Sequence, residues 1–132
     1  LQEDMIVDAL AIVVAHEIGH IGKRHKPSAL VSRATSRAQE AEADEYARVL
    51  VRKSGFSTLP SLATVYLMFA ALEGDSEDGT HPHPLCRIYR IGRAEFEDLR
   101  KEPAAINNLK RLGMDPGSLA AQYDSFAKYC NL

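Results

Sequence analysis

His16-Glu17-Ile18-Gly19-His20 spells H-E-x-x-H inside a stretch of helix-forming residues. A helix turns about 100° per residue, so His16 and His20 stand one above the other on one face, and Glu17 lies about a third of a turn away. Two imidazoles so placed can reach one zinc ion. With a third protein ligand and one open position, zinc activates a water whose proton the glutamate can take. The apolar run 9–15 leads directly into the pentapeptide, which predicts a buried helix whose polar face needs partners. Gly19 would keep the backbone near the metal uncrowded. The pentapeptide is short, however, and two histidines on one face are also found as ordinary core or surface residues. A third ligand is what separates the two readings.

The stretch 36–47 offers one. It is rich in Ala and Glu and reads as a helix, with Ser36-x-x-Gln39 as a capping box. Glu40 and Asp44 share a face. Glu40 can bind a metal as a carboxylate, and Asp44, one turn on, can accept the free ring N–H of a metal-bound histidine. Glu42 lies about 200° around from Glu40 and reads as a solvated helix charge. An alternative makes Glu42 the ligand with Glu45 or Tyr46 beside it, but it lacks an acid four residues on.

Three blocks in order, His16-Glu-Ile-Gly-His-Ile-Gly-Lys-Arg-His25, Glu40-Ala-Glu-Ala-Asp44 and Thr80-His-Pro-His-Pro-Leu-Cys-Arg-Ile88, resemble the gluzincin-type peptidases. The similarity is greatest to the HtpX and CaaX-prenyl-protease family, metallopeptidase family forty-eight, and covers roughly residues 5–91. The resemblance implies that His16, His20 and Glu40 bind one zinc, that Glu17 is the general base and that Asp44 supports from behind. It implies a zinc-dependent endopeptidase acting on proteins or peptides. His81 and Arg87 match its third block: His81 as a hydrogen-bond donor to the oxyanion or a resting ligand, Arg87 as the partner of a carboxylate. Tyr89 is the alternative oxyanion donor. His81 and His83 also read as a loop stiffened by Pro82 and Pro84. His25, about 180° around from His16 if the helix continues, reads as part of a basic helix end.

Two departures qualify the resemblance. The short interval between His20 and Glu40 leaves no room for an elaborate insertion, and short intervals also occur in soluble gluzincins, including small single-domain ones and the phage-exclusion type. The family's substrate-aligning strands before the zinc helix have no counterpart here, because residues 1–15 read as helix. The beginning at Leu1 fits a fragment or a processed product. A zinc-binding module that docks a partner without cleaving it is therefore the second reading; the third is a metal-free helical bundle.

The chain's 132 residues suffice for one domain with a substantial core, and 45% apolar with 26% charged residues is ordinary globular composition. A net charge of −2 gives no reason to expect nucleic acid. The longest apolar runs, 9–15 and 65–72, fall far short of a membrane span, though a longer parent could be anchored. No signal peptide is visible, and a cytoplasmic setting is slightly favoured. Cys86 and Cys130 could be bridged or idle.

The expected architecture is mainly α, a compact zincin-like helical domain with little or no sheet. The H-E-x-x-H helix, from about residue 4 to near His25, packs on the second helix, 36–53. A third, capped by Thr58, carries an apolar body at 62–72 that reads as core under the metal site. The acidic, glycine-bearing stretch 74–80 reads as a linker. A fourth helix spans about 85–100, and two short ones follow Pro103 and Asp115-Pro116. The single metallopeptidase domain over 1–132 divides into a catalytic core at about 4–91 and a helical scaffold at about 92–132.

Overall fold

A computed structural model describes residues 3–54, 82–111 and 113–131. The described residues are mainly helical and include no strand. Helix α1 spans Glu3–Gly22 and α2 Arg33–Lys53. Then come α3 (Pro84–Leu99), α4 (Pro103–Arg111) and α5 (Pro116–Asp124), with single 3-10 turns at Ser28–Leu30 and Ala127–Asn131. The expected third helix, its 65–69 run, the 74–80 stretch and His81 lie outside the described residues.

Helices α1 and α2 form an antiparallel hairpin. Lys26 meets Gln39, His20 meets Glu40 and His16 meets Asp44, so residue numbers fall on one helix as they rise on the other. Small residues let the axes approach. Ala9, Ala15, Ala43 and Ala47 are buried along the seam. At Gly19 a Cβ would stand 3.2 Å from the Ala43 Cα and 3.3 Å from its carbonyl oxygen. The glycine inside H-E-x-x-H therefore sets the distance between the two helices rather than merely leaving the backbone open.

Among the described residues, only one side of α1 is covered. Ile12 is buried, whereas Ile6, Val7, Leu10, Val14, Ile18 and Ile21 are exposed on the other side. The apolar lead-in predicted a buried helix, and the burial is one-sided.

Helix α2 starts earlier than Ser36. Ser32 is its N-cap and accepts from the Thr35 N–H at 3.1 Å, while Ser36 is itself buried against the hairpin. The Ser36-x-x-Gln39 pattern fits a capping box, but Gln39 instead bonds both backbone groups of Lys26 at 3.0 and 2.9 Å, tying the interhelix loop to α2.

Helix α3 crosses the hairpin and brings Ile88, Ile91 and Phe96 to the core formed with Ile12, Ala47 and Val51; Leu109 and Tyr123 from α4 and α5 close it. An ionic clamp runs along the same contact. Arg48 donates to Glu95 at 2.9 Å and Asp98 at 2.7 Å, and Arg52 reaches Asp98 and Glu102. His83 caps α3, its Nδ1 accepting from the Leu85 N–H at 3.1 Å, with its ring stacked on Tyr129.

Cys86 on α3 and Cys130 in the last 3-10 turn form a disulfide across 44 positions. Closing a loop of that length restricts the unfolded chain, so reduction should lower unfolding free energy by about 2–4 kcal/mol. Urea denaturation with and without reductant checks this.

Candidate metal centre

Three groups able to hold a metal ion converge where α1 crosses α2: His16, His20 and Glu40. The His16 and His20 Nε2 atoms are 3.0 Å apart. Glu40 Oε2 lies 3.1 Å from His16 Nε2, and Oε1 lies 3.2 Å from His20 Nε2. Two imidazole nitrogens turned toward each other at that distance can share a proton in an N–H···N hydrogen bond or can both face one cation. The donor set of two imidazoles and a carboxylate is the one divalent zinc takes. Tetrahedral ligands about 2.0–2.1 Å from an ion stand about 3.3 Å apart, close to the three distances found here. The residues present fit such an ion.

Behind this triad each histidine has a second contact. His16 Nδ1 lies 2.9 Å from Asp44 Oδ1. Asp44 in turn accepts from Arg87 twice, from Nε at 2.8 Å and from Nη2 at 2.6 Å. Arg87 is fully buried and also lies 3.7 Å from Glu40. The fork of a guanidinium on a carboxylate is among the stronger charged contacts. Burial alone would raise the Asp44 carboxyl, but the Arg87 charge and hydrogen bonds, joined by His16, hold it below the usual range. Glu40 is likewise held low against its burial by His16 and Arg87.

Among the described residues, the centre is buried on one side only. The His16 side chain is 3% exposed and that of His20 24%, and Glu17 is exposed beside them. Solvent therefore reaches the triad from the side of Glu17 and His20. A cleft of about 480 Å³ lined by Lys23, Glu42, Glu45, Tyr46 and Lys53 includes none of the three converging groups and lies on another face of α2.

The same surroundings favour a proton on His16. Burial would push the His16 ring down, but hydrogen bonds to Asp44 and Glu40 outweigh it and raise the ring to about 9. His20 goes the other way, lowered by burial against the pull of Glu40, with His16 and His25 adding to the lowering. A histidine raised in the folded state contributes stability that is complete below about pH 6.5 and is lost as pH rises through about 9. At about 1.4 kcal/mol per pKa unit, chelator-treated protein should lose up to about 3 kcal/mol between pH 6.5 and 9.5, read by denaturant unfolding. Metal must displace the same proton, so apparent affinity should tighten about tenfold per pH unit over that window.

Two contacts were not foreseen from the sequence. His25 Nδ1 lies 2.9 Å from His20 Nδ1, and His25 Nε2 lies 2.8 Å from Glu42 Oε2. His25 is thus folded back onto the site rather than ending a helix in solvent, and Glu42, although exposed, is its partner rather than a lone solvated charge. A turn signal before His25 would have revealed this, but Arg24 carries none. Tyr89 is half-buried on α3.

No helix among the described residues is long and apolar enough to cross a membrane. No curated protein and no solved structure matches the chain. The family model described as Peptidase U49 matches residues 2–101, a stretch that takes in both helices of the hairpin and Arg87. The chain belongs to the Peptidase U49 family, and its substrates are accordingly proteins or peptides.

Proposed function

We propose that this chain is a zinc-dependent endopeptidase whose ion is held by His16, His20 and Glu40. The observation that carries the reading is the convergence of two imidazoles and a carboxylate at mutual distances of 3.0–3.2 Å, open to solvent on the side of Glu17. Held by His16, His20 and Glu40, a zinc ion would supply Lewis acidity toward a water and toward the scissile carbonyl. Glu17, next to His16 on the exposed side, removes the proton of the attacking water and delivers it to the leaving amine. His16 is held in one tautomer by Asp44, which must accept its Nδ1–H if Nε2 is to face the ion. Arg87 keeps Asp44 charged and fixed. His81, outside the described residues, is the candidate oxyanion donor.

Kinship with the HtpX and CaaX-prenyl-protease group is the finer form of this reading, supported by the three sequence blocks. In it the catalytic core takes in about residues 4–91 and the later helices brace it.

Elemental analysis of the purified chain with casein cleavage in the same samples tests the proposal. One zinc per chain with cleavage that a chelator abolishes is expected. Glu40→Ala should lose the metal while Glu42→Ala retains stoichiometric zinc. A metal-free chain that still cleaves casein would overturn the reading, and zinc without cleavage would turn it toward a docking module.

A further inference from the structure

Helix α1 ends in a way that aims His25 at His20. Arg24 adopts φ 56°, the left-handed region that glycine usually fills. Its N–H bonds the Ile21 carbonyl at 3.1 Å, and the next N–H, that of His25, bonds the His20 carbonyl at 3.0 Å. This pair of bonds is the Schellman ending, in which the second residue past the helix folds back against the residue five before it. Here both residues are histidines. Their rings meet at 5.0 Å between centroids and 72° between planes, with the two Nδ1 atoms 2.9 Å apart. Beyond them, Glu42 Oε2 is 2.8 Å from His25 Nε2, and Lys23 stands 3.5 Å from the other Glu42 oxygen.

Only one proton arrangement satisfies the whole chain of contacts once His20 turns a bare Nε2 toward the triad. His20 must then carry its proton on Nδ1 and donate to His25 Nδ1. His25, accepting there, must carry its own proton on Nε2 and donate to Glu42. We infer that His25 and Glu42 are positioning residues for His20, a two-step relay that fixes its tautomer and ring orientation from outside the hairpin as Asp44 and Arg87 do for His16 from inside. The inference rests on His20 being a metal-holding residue. It gives the more exposed histidine a brace of its own, built from the turn that ends its helix and from the acid that sits on α2 away from Glu40.

Zinc titration with a competing chromophoric chelator, run on the full chain and its variants, tests the relay without any turnover measurement. His25→Leu removes the acceptor and should weaken zinc about 10–100-fold, the usual cost of losing such a partner. His25→Asn places an amide oxygen near the lost Nδ1 and should recover most of that loss. The melting temperatures of the metal-free variants should stay near that of the parent. Nitrogen-15 spectra of the zinc-loaded parent need no substitution at all: His20 should show Nδ1–H and His25 Nε2–H. Unchanged affinity in His25→Leu, or a His25 ring protonated on Nδ1 in the parent, overturns the relay. A parent chain that binds no zinc overturns the metal reading beneath it, an outcome separate from a parent that binds and a variant that binds equally well.

Discussion

Glu17→Gln should lower peptide cleavage about 10²–10⁴-fold, the usual contribution of a positioned general base, while leaving zinc content and zinc affinity at parental values. The amide has nearly the same volume and cannot accept the water's proton at neutral pH. Glu17 is exposed and is not one of the three converging ligands, so the substitution removes no metal bond and buries no new group. The measurement is kcat/KM on casein or a quenched peptide, paired with metal analysis of the same preparation. Cleavage at the parental rate would remove Glu17 from the mechanism, and loss of zinc together with activity would make it a metal-holding residue instead.

Arg87→Met should be strongly destabilising. Arg87 is fully buried and donates two hydrogen bonds to Asp44, which is itself buried. Removing one partner of a buried ion pair costs about 3–5 kcal/mol, and here it leaves His16 as the remaining partner of the Asp44 carboxylate. The methionine nearly fills the space, so the loss is electrostatic rather than a cavity. Urea unfolding of the disulfide-intact protein reads it. Asp44→Leu in the Arg87→Met background should regain part of the loss, because no buried carboxylate without its guanidinium remains. If the double variant is less stable than Arg87→Met by the full cost of a second core defect, the pair is not the unit described here.

Helical phase was enough to read the inner site. His16 and His20 four apart, and Glu40 and Asp44 four apart, each occupy one face of a helix, and the hairpin brings those faces together. The starts of the last two helices were legible for a similar reason, since Pro103 and Asp115-Pro116 are local signals that need no tertiary partner, whereas Pro84, read as a loop proline, opens α3. What escaped was either nonlocal or unsignalled. Ser36 matched a capping pattern, but packing buried it and Ser32 took the cap. The left-handed turn at Arg24 lacks the glycine or asparagine that would announce it, so His25 was carried on around a helix that had already ended. The Cys86–Cys130 bridge and the Arg48 clamp join residues more than 40 positions apart, a relation that periodicity does not encode.

The order of residues in this site also has a consequence for biosynthesis. A ribosome delivers His16, His20, Glu40 and Asp44 well before Arg87, which follows Asp44 by 43 positions. The ligand-bearing hairpin closes through a short loop, and short loops are entropically cheap to close. A nascent chain can thus present all three ligand groups while Asp44 still faces water and His16 lacks its final brace. On the proposed metal reading, the finished grip on an ion would come last, when Arg87 emerges and seals the carboxylate.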